Sequence, residues 1–260
     1  MIAALPMYDW PEARASVAAQ WAALRRTLLS AGIDAPESLV RRNGELPPVP
    51  GGIRDGEGRV VAPDPAILPP EMLDLHALWT HPALLLAQTC WGPMEQWLEQ
   101  HVVVVGQPAY DGMEGGQGIF YSSAIVMRRA TGKREPAPGG GSAILPLDLL
   151  RDASFAFNGS DSMSGVIALA RDLEAVGEDL SIFRERIETG SHRASLAAVA
   201  AGRADVCAVD CRSWHMAGLY GPHASAVHSV GWTAHRKGLP YITSRHTPSD
   251  VVARLRSALA

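Results

Sequence analysis

The run Phe155-Ala-Phe-Asn-Gly-Ser-Asp-Ser-Met-Ser-Gly165 constrains this chain more than any other. It begins apolar and aromatic, as a short buried strand does. It breaks at Asn158-Gly159, where both residues tolerate positive φ. Serines follow at 160, 162 and 164. Gly165 to Val176 then reads as a helix, with Val166, Leu169, Ala170 and Leu173 along one side. A strand passing through a hydroxyl-rich turn into a helix leaves free backbone N–H groups at the helix start. Those groups, the hydroxyls and the positive end of the helix dipole together suit an anion. Ser162 or Ser164 serving only as an N-cap is the competing reading.

The rest of the chain bounds what surrounds this turn. Its 260 residues are 47% hydrophobic and 19% charged, enough to bury one large core or two small ones. A net charge of −4 argues against nucleic acid or an anionic membrane as partner. No apolar run is long enough to span a bilayer. Met1 to Tyr8 lacks the basic start of a signal peptide. As it stands the chain is therefore expected to be cytoplasmic, or periplasmic with its export signal removed. Cys90, Cys207 and Cys211 are an odd number and make no disulfide framework.

In chain order, Ile2–Leu5 reads as a strand, and Val17, Trp21, Leu24 and Leu28 mark a helix ended by Gly32. Tyr8 falls between them, at the strand's carboxyl end, where open α/β sheets bind ligands. Residues 41–71 are rich in Pro and Gly and read as a long surface insertion with a hairpin near Arg59-Val-Val61. Leu84–Ala87 and His101–Gly106 read as strands flanking a helix from Met94 to Gln100. This alternation predicts a parallel sheet. Residues 111–118 read as a flexible connector, Ile119–Met127 as one long strand, and Lys133–Ser142 as a mobile loop. Further on, the pattern predicts a helix over Leu196–Ala201, a strand over Ala204–Val209 and a helix over Cys211–Tyr220. Strands over Val227–Val230 and Leu239–Ser244 follow. The last helix is expected to open at Thr247-Pro-Ser-Asp250 with a good N-cap.

Constellations of chemical side chains are few. Cys207, Cys211 and His215 have metal-ligand spacing, but a strand position for Cys207 keeps the three off one face, and no metal site is expected. Ser162, His192 and Asp210 match a catalytic triad by residue type. A serine at a helix start more often donates hydrogen bonds than attacks. Asp210 has two readings: a cap for the helix at Cys211, or an acceptor that selects a protonated oxyanion.

Five stretches in order resemble the phosphonate/phosphate/phosphite family of ABC-transporter solute-binding proteins. They are Leu5–Tyr8, Gln88–Pro93, Tyr121–Ser123, Asn158–Gly165, and Gly190–Ser195 running on to Gly202–Asp210. The resemblance implies an α/β chain with the type II periplasmic-binding-protein fold: two α/β lobes joined by two crossing strands, with a ligand cleft between them. Lobe one would be 1–117 plus 229–260, including the Pro/Gly-rich insertion 41–71, and lobe two 118–228. The crossing strands would be Ile119–Met127 and Val227–Trp232. The implied function is non-enzymatic binding of a small oxyanion, such as phosphate, phosphite or an organophosphonate. The chain would be the solute-binding component of an ABC-type uptake system, with a permease as partner and no cofactor.

By the same resemblance the ligand is lined by Tyr8, Gln88, Thr89, Tyr121, Ser122, Asn158, Ser162, Met163, Ser164, His192 and Asp210. Two alternatives stand beside it. One is an enzyme using Ser162 or Ser164 with His192. The other is a cytoplasmic member of the fold, a sensor or a protein of precursor biosynthesis, that binds a phosphorylated or heterocyclic metabolite. There Tyr8, Trp91 and Trp214 would stack, and the missing leader favours this over transport.

Overall fold

A computed structural model of the chain describes residues 1–260 throughout. The backbone begins with β1 (Ile2–Ala4), α1 (Arg14–Ser30), the hairpin β2 (Ile53–Arg54) and β3 (Val60–Ala62), α2 (Leu75–Thr80) and β4 (Leu84–Gln88). Next come α3 (Trp91–Pro93, continued by further helical turns to His101) and β5 (Val102–Gly106). The middle of the chain holds β6 (Gly116–Gln117), β7 (Phe120–Tyr121), β8 (Ser123–Arg128), α4 (Leu147–Leu150) and β9 (Ser154–Phe157). A wide turn over Met163–Ile167 leads into α5 (Ala168–Glu174), followed by β10 (Glu185–Glu188), α6 (His192–Ala200), β11 (Val206–Asp210) and α7 (Cys211–Tyr220). The chain finishes with β12 (Val227–Trp232), β13 (Arg236–Lys237), β14 (Tyr241–Ser244) and α8 (Ser249–Leu259). No helix is long and apolar enough to cross a membrane.

Two compact units result: Met1–Pro108 with Leu239–Ala260, and Ala109–Gly238. The strands Ser123–Arg128 and Val227–Trp232 both belong to the second unit, and they pair with each other there.

In the first unit the sheet order is β1-β4-β14-β5. β1 and β4 are parallel, but β14 runs antiparallel to both β4 and β5. The parallel sheet expected from strand–helix alternation is thus corrected to a mixed one. The last strand lies between two strands joined by a helix, a placement that local periodicity does not encode. Both faces are covered. Val17, Trp21 and Leu28 of α1 pack with Leu5, Leu85, Val105 and Leu255 on one. Leu78, Trp79, Met94, Leu98 and Ile242 close the other. Each such leucine withdrawn from water contributes about 1.5–3 kcal/mol.

The 41–71 insertion contains the expected hairpin, but it is anchored as well as exposed. Ile53 and Ala62 are buried with Ala77 in a small core of their own. Asn43 ties its ends, donating from Nδ2 to Pro69 O (2.9 Å) and accepting from Asp74 N–H (2.8 Å).

The second unit is built on the order β10-β9-β11-β8-β12. β10, β9 and β11 are mutually parallel, and β8 is antiparallel to β11 and β12. Ile125, Phe155, Leu169, Leu173, Phe183 and Val206 form its core.

Several local expectations are corrected here. The single strand over 119–127 is broken at Ser122, whose N–H turns away to Gly115 O (2.7 Å). The connector at 111–118 is tightly built: a Cβ on Gly116 would stand 2.1 Å from Tyr110 O. The 133–142 loop is pinned, because Ser229 Oγ and Trp232 Nε1 both donate to Glu135 O, at 2.8 and 2.9 Å. The edge strand β10 was not expected. α6 begins at His192 rather than Leu196, and the helix after the central turn begins at Met163 rather than Gly165. In the first unit, α8 has Pro248 at its N-cap with no side-chain cap, since Thr247 Oγ1 instead pairs with Thr243 Oγ1 at 2.8 Å.

Candidate functional site

The parallel strands β9, β10 and β11 each run into a helix N-terminus at one edge of the second unit's sheet. That edge collects N–H groups and positive dipole ends, the local chemistry suited to an anion.

After β9 the chain turns at Asn158-Gly159, and Ser162 takes an extended conformation (φ −77°, ψ 115°). Its Oγ accepts from Gly165 N–H at 3.0 Å. Ser162 is therefore the N-cap. The N–H groups of Met163 and Ser164, first in the helix, have no acceptor within it. Gly165 is required by contact: a Cβ there would lie 1.8 Å from Asn158 Oδ1. That amide oxygen is buried and has no hydrogen-bond donor. Met163 is 2% exposed, with Arg171 Nη1 4.0 Å from its sulfur.

Beyond β10, Thr189 donates N–H and Oγ1 to Phe157 O at 2.8 and 3.0 Å, tying the two strand ends together. Gly190 takes φ +83°, which only glycine adopts cheaply. Ser191 caps α6 by accepting from Ala194 N–H at 3.1 Å. His192 is thus the first residue of α6.

β11 ends at Asp210, which is 2% exposed. Its Oδ1 accepts from Arg212 N–H (3.0 Å) and Ser213 N–H (2.9 Å), capping α7. Its Oδ2 lies 3.4 Å from His192 Nε2. The same Nε2 lies 2.9 Å from Ser164 Oγ. Both readings of Asp210 placed it at this edge; the structure adds that its second oxygen meets the histidine.

Two acceptors at one ring nitrogen decide the tautomer. A lone pair on Nε2 would face the carboxylate, so the hydrogen sits on Nε2. Nδ1 then carries the lone pair, and it is buried without a partner. Burial holds the His192 pKa below its usual value, against an opposing pull from Asp210. The ring is neutral near pH 7. Ser164 Oγ accepts from the ring, so its own O–H is free to donate elsewhere.

This arrangement is no nucleophile–base pair. In a triad the serine and the carboxylate meet opposite nitrogens, and the histidine accepts the serine proton. Here they meet the same nitrogen, and the serine that touches the ring is Ser164, not Ser162.

Two more hydroxyls belong to this edge. Ser122 and Ser123 are fully buried, and neither Oγ has a partner. Ser123 stands opposite Asp210 in the β11–β8 ladder, so the two share a face of the sheet. Sequence reasoning named Ser122 and missed Ser123. Pairing with Asp210, invisible without the register, is the signal that finds it. Tyr121 is fully buried, with its ring centroid 5.6 Å from that of Tyr110.

Three expected residues lie in the first unit. Tyr8 follows β1 and is 3% exposed. Gln88 ends β4, donating from Nε2 to Leu239 O at 3.5 Å. Thr89 comes next, fully buried, its N–H on Pro240 O and its Oγ1 without a partner. The parallel pairing of β1 and β4 sets all three at one sheet edge.

The cysteines are placed otherwise. Cys207 and Cys211 are buried free thiols whose pKa values burial pushes up, while His215 is exposed. The three do not converge.

A family profile described as "ABC transporter, phosphonate, periplasmic substrate-binding protein" matches residues 95–260. No curated protein matches the chain in sequence. Among solved structures, PhnD1 from Prochlorococcus marinus in complex with methylphosphonate is 18% identical, with a TM-score of 0.54 over 70% of this chain. A binding-protein component of an ABC phosphonate transporter from Pseudomonas aeruginosa is 13% identical, with a TM-score of 0.60 over 98% of this chain. The chain spans 65% of the length of the first and 72% of the second. At these identities the likeness establishes the fold, which is that of the periplasmic binding proteins.

Proposed function

Since the chain belongs to the phosphonate-binding family of ABC-transporter substrate-binding proteins, we propose that the helix-start edge of its second unit holds the oxyanion of a small phosphonate, phosphite or phosphate. The observation that carries this is the Ser164–His192 contact at 2.9 Å, with Asp210 behind the same nitrogen. It leaves the Ser164 O–H to donate, beside the N–H groups of Met163 and Ser164 at the helix start. Those donors suit an oxyanion, and the neutral ring adds no carboxylate-like repulsion.

Ser122, Ser123 and Asn158 supply further polar groups at this edge. The protein binds and releases its ligand unchanged and delivers it to an ABC permease.

Calorimetric titration with methylphosphonate, phosphite, phosphate and sulfate tests this reading. At least one of the first three binds the wild type. Ser164→Ala weakens that binding by about 1.5–3 kcal/mol, the usual loss for a hydrogen bond to a charged group. Equal affinity in wild type and variant would place the anion elsewhere.

A further inference from the structure

The histidine at this edge has one nitrogen fully engaged and one with nothing to bind. Nε2 serves Ser164 and Asp210 together, while Nδ1 is buried and unpartnered. A buried lone pair with no donor costs stability, so the site is built for a donor to arrive. An oxyanion with every oxygen ionised brings only acceptors. Set against a bare lone pair, such an oxygen is repelled unless a proton stands between the two atoms.

We propose that the site takes up one proton with each fully ionised oxyanion it binds, and lodges that proton between His192 Nδ1 and a ligand oxygen. The balance is simple: neutral imidazole, dianion and one proton give either imidazolium with dianion or imidazole with monoanion. No covalent bond to the ligand forms or breaks. The inference rests on the binding reading above and deepens it. It assigns His192 the choice among anions: those that protonate near neutrality, such as phosphonates and phosphate, over sulfate, which does not.

The surrounding charges fit this role. α6 packs on β8, β9, β11 and β12. Their titratable groups, with Asp205 just before β11, are Arg128, Asp205, Cys207, Asp210 and His228. α6 itself adds Arg193, α5 adds Arg171, Asp172 and Glu174, and α7 adds Arg212 and His215. Asp210 lies against the ring, and its charge opposes the effect of burial. A single negative neighbour at Nε2 stabilises the ring when it gains a proton at Nδ1, and burial disfavours that proton until an anion comes. Protonation is thereby tied to occupancy.

The test is calorimetric titration with methylphosphonate in two phosphate-free buffers of different ionisation enthalpy. The pH is set well above the ligand's second ionisation. The difference in observed heat reads the protons taken up per ligand bound. His192→Gln is the companion variant, because its side-chain amide can still donate to Ser164 and Asp210 but it has no counterpart of Nδ1.

The expected result is about one proton per ligand in the wild type and none in His192→Gln. Wild-type affinity should fall about tenfold per pH unit in this range. Binding without proton uptake and with affinity flat in pH overturns the proposal and leaves the binding reading intact. Equal uptake by the variant overturns it too, since the proton then sits elsewhere. If His192→Gln does not fold, Asp210→Asn takes its place, and proton uptake in it equal to wild type overturns the proposal. Failure of every oxyanion to bind at any pH would overturn both readings.

Discussion

Asp210 and His192 are joined through a divided carboxylate: Oδ1 caps α7, and Oδ2 stands 3.4 Å from His192 Nε2. One residue thus fixes both the start of a helix and the tautomer of a ring on the neighbouring helix.

Asp210→Asn separates these roles. Asn caps helices about as well as Asp, so stability should change little. With Oδ1 kept on the cap, the amide nitrogen takes the place of Oδ2 and donates to Nε2. The ring hydrogen then moves to Nδ1, turning it from acceptor to donor. Competition titrations should show sulfate gaining on methylphosphonate and the pH dependence flattening. Selectivity identical to wild type would show that Asp210 acts as a cap and nothing more.

Ser162 and Ser164 divide labour in the same way. Ser162→Ala removes the cap on Gly165 N–H and should cost about 1 kcal/mol of stability. Ser164→Ala should leave stability nearly unchanged and weaken the anion. Paired denaturation and binding measurements check this split, and the reverse pattern would contradict it.

Gly165 sits where a Cβ would overlap Asn158 Oδ1. Gly165→Ala should destabilise by about 1–3 kcal/mol, the usual range for overpacking. Asn158→Ala in the same chain should recover part of that loss. A double-mutant cycle by chemical denaturation measures it. Strict additivity would mean the two residues do not collide.

His81, in the first unit, predicts acid sensitivity. Its Nε2 donates to Pro47 O at 3.0 Å, and its Nδ1 accepts from Ala83 N–H at 3.0 Å. The ring is 1% exposed, and burial lowers its pKa. The unfolded chain therefore binds a proton at higher pH than the folded one does. Stability is retained above the unfolded-state value of about 6.5 and lost as pH falls toward the folded-state value. Urea unfolding at a series of pH values should show this slope, and His81→Gln should flatten it. An identical slope in the variant would assign the acid sensitivity to other groups.

Much of this architecture was readable because its signals are local. The apolar run before Asn158, the span of α7 and the Asn-Gly turn follow from periodicity and turn chemistry. What was missed depends on pairing. β10 is an edge strand, Glu185-Arg-Ile-Glu188, almost wholly exposed, so no buried face marks it. The antiparallel course of β14 is set by its neighbours in the sheet and not by its own residues. α6 starts four residues earlier than its apolar stripe because its first turn is polar, and that turn carries His192, which meets Ser164 and Asp210. At the site itself, the serine turn and Asp210 were legible from residue type and strand ends. That Ser164, not Ser162, touches His192 required the cap geometry.

The most direct test of the central claim is a crystal structure of the protein with methylphosphonate. The account predicts the phosphonate oxygens within hydrogen-bond distance of Ser164 Oγ, the first N–H groups of the Met163 helix and His192 Nδ1. A phosphonate seated elsewhere, with Ser164 and His192 free of it, would contradict the account.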